Sequence, residues 1–270
     1  MQRTYPALDV HGGETDLLLA LVDDFAPTAI DEAPPTTRVF FAKTSDRDAA
    51  HTALAARFDV TPLDVPDDDW ATRSQADLQP ITVGRLTVFP NPYSLTPNPC
   101  SIVIPPSMAF GTGHHATTQL CLDALQAIDL AGTDVLDVGT GSGVLAMAAV
   151  LLGARRARGI DSDEDAIRTA RENLLLNPAA APHVAFDVAD LVAADLREAF
   201  TPGVLVANLT GALLVRSAAR LLTAAPSGGT LILSGIQNDE RDEVGRAFAG
   251  AATTWERSID DWVGVTLKKR

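Results

Sequence analysis

Residues 134–143, DVLDVGTGSG, constrain this chain more than any other stretch. Val135, Leu136 and Val138 read as a short buried strand, and Gly139, Gly141 and Gly143 as a tight turn. The run GVLAMAAVLLG that follows reads as a helix ending at Gly153. Strand, glycine turn and helix open a nucleotide-binding βα unit. Glycines let the backbone approach a ligand closely, and the helix N-terminus offers free N–H groups.

Two cofactors compete for this turn. Gly141, Gly143 and Ala146 satisfy the G-x-G-x-x-A spacing of a dinucleotide site. Asp137, two residues before the first glycine, would repel a pyrophosphate. It suits a cofactor with a positive methionine end and no phosphate, S-adenosylmethionine, whose amino end it would orient. Asp161 closes the next strand, RARGID, about twenty residues on, where ribose hydroxyls would lie. Both cofactors want that acid, so Asp137 discriminates and Asp161 does not.

The chain has 270 residues, 46% of them hydrophobic, which suits one large or two modest domains. No apolar run approaches a membrane span, and MQRTYPALDV does not read as a signal peptide, so a cytoplasmic protein is expected. Cys100 and Cys121 are too few for a disulfide framework, and no metal-ligand spacing surrounds them. The formal net charge is −14, and lysine occurs only at positions 43, 268 and 269. Such acidity argues against nucleic acid as a direct partner. It fits either a salt-adapted surface or electrostatic steering of a basic protein substrate.

Residues 1–65 read as a small α+β unit of order βαββαβ, a ferredoxin-like pattern without a catalytic motif. His11 and His51 are isolated in it. Residues 66–105 read as a linker region. ITVGRLTVFP within it is a candidate strand pair, and NPYSLTPNPC is irregular. Trp70 is expected to pack between domains or to belong to a substrate surface. From residue 106 the loop SMAFGTGHH leads into a helix started by Thr117 or His115. Adjacent His114 and His115 face different ways, which disfavours a metal site. One of them is a candidate general base.

Beyond Gly153, strands 156–160, 183–187 and 203–208 alternate with helices 164–176, about 191–199, and 211–223. A doubly wound parallel sheet follows, closed by GTLILSG, a helix, and an antiparallel hairpin turning at Asp260-Asp261. Ligands of such sheets bind beyond the carboxyl ends of the strands. Gly139, Asp161, Asp187 or Asp190, and Asn208 all fall there.

AFGTGHHATTQLCL, VLDVGTGSGVLA, GIDSDEDAI, VANL and LILSGI, collinear from about Trp70 to the C-terminus, resemble the ribosomal protein L11 methyltransferase family. The resemblance implies a class I, Rossmann-like methyltransferase fold, S-adenosylmethionine as donor, and amino groups of a ribosomal protein as acceptor. It carries cofactor contacts onto Thr118, Gly139, Asp161 and Asn208, beside Asp137 and Gly141 from the turn itself. It assigns residues 1–65 to substrate recognition and residues 106–270 to catalysis, in a protein expected to be a monomer. The chain departs from the family at IPPS before AFGTG, at LTGALL after Asn208, and at Glu164. Asn208 is the expected catalytic residue, its side-chain carbonyl aiming the amine. The alternatives are a protein-lysine or small-molecule methyltransferase with another acceptor, and a non-enzymatic cofactor-binding protein.

Overall fold

The computed structural model describes residues 4–12, 18, 21, 22, 25, 27–33, 36–66, 79–91, 100–105, 115–192, 196 and 201–270. The chain divides into two compact units, 1–77 and 78–270. Among the described residues no helix is long and apolar enough to cross a membrane.

The first unit is a four-stranded antiparallel sheet. Its strands are β1 (Thr4–His11), β2 (Pro27–Ala33), β3 (Thr36–Phe41) and β4 (Asp59–Pro66), and α1 (Thr44–Leu54) lies between β3 and β4. The spatial order is β2-β3-β1-β4. Alternation sends Leu8, Val10, Val39 and Phe41 to one face, where Ala50 and Leu54 of α1 close a core with Leu18 and Val22. The opposite face gathers Ala7, Phe40 and Val65. Asp9 and Arg38 are register partners, and the guanidinium grips the carboxylate through Nε and Nη2 at 2.6 and 2.8 Å. Most of the expected first helix, and Trp70, lie outside the described residues.

The second unit begins with a small sheet of β5 (Ile81–Val83), β6 (Leu86–Phe89) and β7 (Ser101–Val103). This differs from the linker reading of 66–105. Val83, Leu86, Val88, Ile102 and Ile104 are buried in the same core as the helices that follow. Two amide side chains tie the segment down. Gln126 accepts from the Arg85 N–H at 2.7 Å and donates to the Val83 carbonyl at 2.9 Å. Asn177 accepts from the Val103 N–H and donates to the Val103 carbonyl, both at 2.8 Å.

The main sheet comprises β8 (Asp134–Val138), β9 (Arg156–Asp161), β10 (Val184–Val188), β11 (Val204–Asn208), β12 (Thr230–Gln237), β13 (Ala251–Ile259) and β14 (Trp262–Lys269). Its order is β10-β9-β8-β11-β12-β14-β13, parallel as far as β12. The last two strands form the expected hairpin, with Asp260 in its turn at φ 51°. One face is covered by α2 (Ala116–Gln126), α3 (Val144–Leu151) and α4 (Glu164–Leu175), the other by α5 (Gly211–Ala224) and α6 (Arg241–Ala247). The helix expected near 191–199 falls largely outside the described residues, and Leu191 and Val192 lie in a turn.

Every residue of β8 is buried, as a central parallel strand requires. Its first residue, Asp134, is held by the Arg155 guanidinium at 2.7 and 2.8 Å. Hydrogen bonds from Arg155, then from Arg156, keep its carboxyl below the usual range against the cost of burial. The winding reverses between β8 and β11, which opens a crevice at their carboxyl ends.

One glycine shapes that crevice from β12. The β12–β14 register shifts between Leu233 and Ile236, and Gly235 there has φ +83°. A Cβ on Gly235 would run into the Leu209 carbonyl group, 2.8 Å from its carbon. Backbone cannot yield as a side-chain tip can, so Gly235→Ala combines strain with a clash. We expect it to lower unfolding free energy by about 3 kcal/mol in urea titration. Gly245→Ala, at a helical position with nothing within 4 Å of the added Cβ, should be neutral or stabilising. Equal stability of the two variants would refute the packing argument.

Candidate active site

A cavity of about 610 Å³ sits over the carboxyl ends of the strands, within the range of small-molecule and cofactor sites. Its wall follows the sheet order. Asp190, after β10, comes first. Asp161 ends β9, and Gly139 and Gly141 follow β8. Asn208 ends β11, with Leu209 and Thr210 beyond it. Gly235 of β12 and Trp262 of β14 complete the row. His115 and Thr117 at the start of α2, and Leu213 and Arg216 of α5, also line it.

The turn after β8 is built for close approach. Gly139, Gly141 and Gly143 have φ of 72°, 52° and 82°, which a side chain would disfavour. The Gly139 and Thr140 N–H groups donate to the Ile160 carbonyl at 2.9 and 3.0 Å, which locks the turn to β9. Asn173 of α4 donates to the Ser142 carbonyl at 3.0 Å, and Asn177 donates to the Asn173 carbonyl at 2.7 Å. A buried line of amides therefore runs from β7 to the turn. Asp161 is fixed as well: its two oxygens accept the N–H groups of Gly141 and Asp163 at 3.0 and 3.1 Å. A carboxylate keeps further lone pairs for hydroxyls in the cavity.

Of the residues expected to hold a cofactor, Gly139, Gly141, Asp161 and Asn208 meet on this wall, while Thr118 and Asp137 stand behind it. Thr118 is buried in the first turn of α2, one residue past the lining Thr117, and its hydroxyl has no partner among the described residues. Asp137 is fully buried, because the alternation of β8 sends Leu136 and Val138 to the α5 face and Asp137 to the α2–α3 face. There the Thr140 hydroxyl donates to it at 2.6 Å. Asp137 thus braces the turn from beneath rather than reaching the cavity. Asp187 is paired with Arg158, leaving Asp190 as the acid after β10 that faces the cavity.

Burial pushes the Asp137 pKa up to about 7, a rise opposed by the Thr140 hydrogen bond and increased by the nearby Asp161 charge. Its other titratable neighbour, the Cys121 thiol, is pushed up by burial and by Asp137 itself. Between roughly pH 4 and pH 7 the folded carboxyl holds a proton that the unfolded one, with pKa about 3.9, has lost. This contribution to stability is therefore complete below that window and declines as pH rises through it. Asp137→Asn stays neutral. Urea unfolding at several pH values should show wild-type stability falling relative to the variant by about 1.4 kcal/mol per pH unit across the window. Parallel profiles would mean that the buried carboxyl is ionised throughout.

His115 caps α2. Its Nδ1 accepts from the Thr117 N–H at 3.4 Å and lies 2.8 Å from the Thr117 hydroxyl. Its ring meets Trp262 edge-on, with centroids 5.1 Å apart and planes at 66°. His114 and the AFGTG loop lie outside the described residues. Trp262 and Arg216 carry no sequence motif, and Gly235 lies in LILSGI, a motif that assigned it no site role. The sheet order brings Trp262 and Gly235 to the wall, and the placement of α5 after β11 brings Arg216.

The glycine turn, with Asp161 beside it on the cavity wall, suits a donor with a ribose. A profile of the family described as "Ribosomal protein L11 methyltransferase (PrmA)" matches residues 29–270. A ribosomal protein L11 methyltransferase of Geobacter metallireducens is 40% identical, aligned over 86% of this chain and 81% of its own length. One from Azotobacter vinelandii is 39% identical, over 76% and 70% respectively. The crystal structure of ribosomal protein L11 methylase from Lactobacillus delbrueckii subsp. bulgaricus superposes with a TM-score of 0.64 at 26% identity. It covers 72% of this chain and 100% of that one.

Proposed function

The chain belongs to the ribosomal protein L11 methyltransferase family, and from that premise we propose that it transfers methyl groups from S-adenosylmethionine to amino groups of ribosomal protein L11. The observation that carries this reading is the single wall on which Gly139, Gly141, Asp161 and Asn208 meet at the crevice between β8 and β11. Asp161 would hold the ribose hydroxyls, and the glycine turn would admit the amino-acid end. When bound, S-adenosylmethionine supplies a methyl group already activated on a sulfonium.

The protein's own task is then alignment and the state of the amine. A lysine amine has a free pKa of about 10.4 and must be neutral to react. Enclosure in the cavity disfavours the ammonium form. The Asn208 side-chain carbonyl would accept one amine N–H and so aim the lone pair, without a dedicated general base. Residues 1–65 would supply recognition of the protein substrate, because they carry a folded sheet and, among the described residues, no part of the cavity wall. We propose a cytoplasmic monomer that acts on protein, and the net charge of −14 disfavours direct binding to nucleic acid.

The test uses the whole enzyme, labelled donor and ribosomal proteins from its own host. Label should enter L11, and calorimetry should show S-adenosylhomocysteine binding where NAD does not. Label in another protein, or binding of NAD in place of the donor product, would overturn the reading.

A further inference from the structure

Among the described residues, the cavity wall holds one cation that the reaction as proposed leaves unused. Arg216 lies on α5 one turn beyond the lining Leu213, and it is exposed at the cavity. The buried side of that helix is formed by Leu214, Ser217, Ala218 and Leu221. The next arginine on the same stripe, Arg220, is committed to the fold: its Nε donates to the Leu191 carbonyl at 2.9 Å and ties α5 to the loop after β10. Arg216 has no hydrogen-bond or ion-pair partner among the described residues.

Two carboxylates share the wall with Arg216 but take backbone partners instead. Asp161 accepts from Gly141 and Asp163, and Asp190 accepts from the Val192 N–H at 2.8 Å. An unpaired guanidinium at the mouth of a cavity, in a chain of 35 acids against 21 bases, is a planar fork without its acceptor. Carboxylate is the group that such a fork holds in two parallel bonds.

We propose that Arg216 binds a carboxylate side chain of the protein substrate that flanks the accepting amine, and so selects which amine enters. This rests on the proposed function. The donor has its own carboxylate, and the affinity for S-adenosylhomocysteine tells that partner apart from one on the protein substrate. Arg216 stands on the helix that follows Asn208, on the acceptor side. An acid close to a lysine holds its amine as ammonium. Pairing that acid with Arg216 removes the hold, and the positive charge of Arg216 further disfavours the ammonium form. The same residue would thereby give register and readiness.

Two short peptides test it, one with lysine flanked by glutamates and one with lysine flanked by glutamines. Each is titrated by calorimetry into the full-length enzyme saturated with S-adenosylhomocysteine. Wild type should bind the glutamate peptide about tenfold more tightly than the glutamine peptide. Arg216→Gln should abolish that preference, Arg216→Lys should keep part of it, and S-adenosylhomocysteine affinity should be unchanged in both variants, which also reports that they fold. A wild type without preference, a preference surviving in Arg216→Gln, or a loss of S-adenosylhomocysteine affinity would each overturn the proposal, the last by giving Arg216 to the donor. Labelling of L11 is scored separately. If L11 is not methylated but the peptides are still told apart, the functional reading fails and the role of Arg216 stands.

Discussion

Asn208→Ala is expected to slow methyl transfer by about 10²- to 10³-fold while changing affinity for S-adenosylhomocysteine less than about tenfold. The separation of the two effects follows from where the residue stands. Asn208 is the last residue of β11, in register with Ser234, and the following Leu209 N–H donates to the Ser234 carbonyl at 3.1 Å. The Ser234 hydroxyl is itself anchored on the Val263 carbonyl at 3.1 Å. The backbone at 208 is thus held by β12 and β14 whatever side chain it carries, so the substitution removes the side-chain carbonyl without moving its support. On the proposed reading the donor would keep Asp161 and the glycine turn on the other side of the crevice.

Asn208→Asp separates aiming from mere packing. It preserves size and an acceptor oxygen, but its charge stabilises the ammonium form of the amine. Its rate should therefore be low near neutrality and recover as pH rises, a profile that a structural cap would not produce. An Asn208→Ala enzyme within threefold of wild type would remove Asn208 from the chemistry.

The sequence exposed those parts of the site that are local in the chain. Five consecutive buried residues, three glycines and an acid twenty positions on form one unbroken unit, and the structure places them as read. Asp137 is instructive. Its distance along the chain from the first glycine suggested contact with the ligand, but strand alternation already separates it from Leu136 and Val138 and puts it on the helix-covered face. In the segment 79–105 the strand pair of ITVGRLTVFP is found as β5 and β6, but its place in the second core was illegible for another reason. Its strands are only three or four residues long and are held by Gln126 and Asn177, whose role depends on contacts 41 and 74 residues away. Trp262, Gly235 and Arg216 likewise join the site through the order β11-β12-β14 and the seat of α5, which hydrophobic periodicity does not encode.

A chain beginning at Leu78 is expected to fold, bind S-adenosylhomocysteine with near wild-type affinity, and lose about 100-fold in kcat/KM for protein methylation. That loss equals roughly 2.8 kcal/mol, within the range of one or two strong recognition contacts. The folding half of this expectation rests on the cores. The two large clusters of the second unit draw only on residues from Ile81 onward, and the clusters of the first unit draw only on residues up to Val65. Among the described residues each unit therefore has clusters of its own, as a unit that folds alone requires. The boundary matters because β5 to β7 belong to the second core. A cut at 106, where the sequence placed the start of the catalytic domain, would strip Val83, Leu86, Val88, Ile102 and Ile104 from it, and Val103 from the Asn177 side chain that leads to the glycine turn. That shorter chain should aggregate or lose donor binding. The catalytic half of the expectation rests on the wall of the cavity, all of whose described residues lie at or after His115. If residues 1–77 act on the acceptor protein, as proposed, their loss should appear in KM for L11 while transfer to a short lysine peptide stays unchanged. Equal rates on L11 for the whole and shortened chains would deny the first unit its recognition role. Failure of the chain from Leu78 to bind the donor product would show that the two units fold only together.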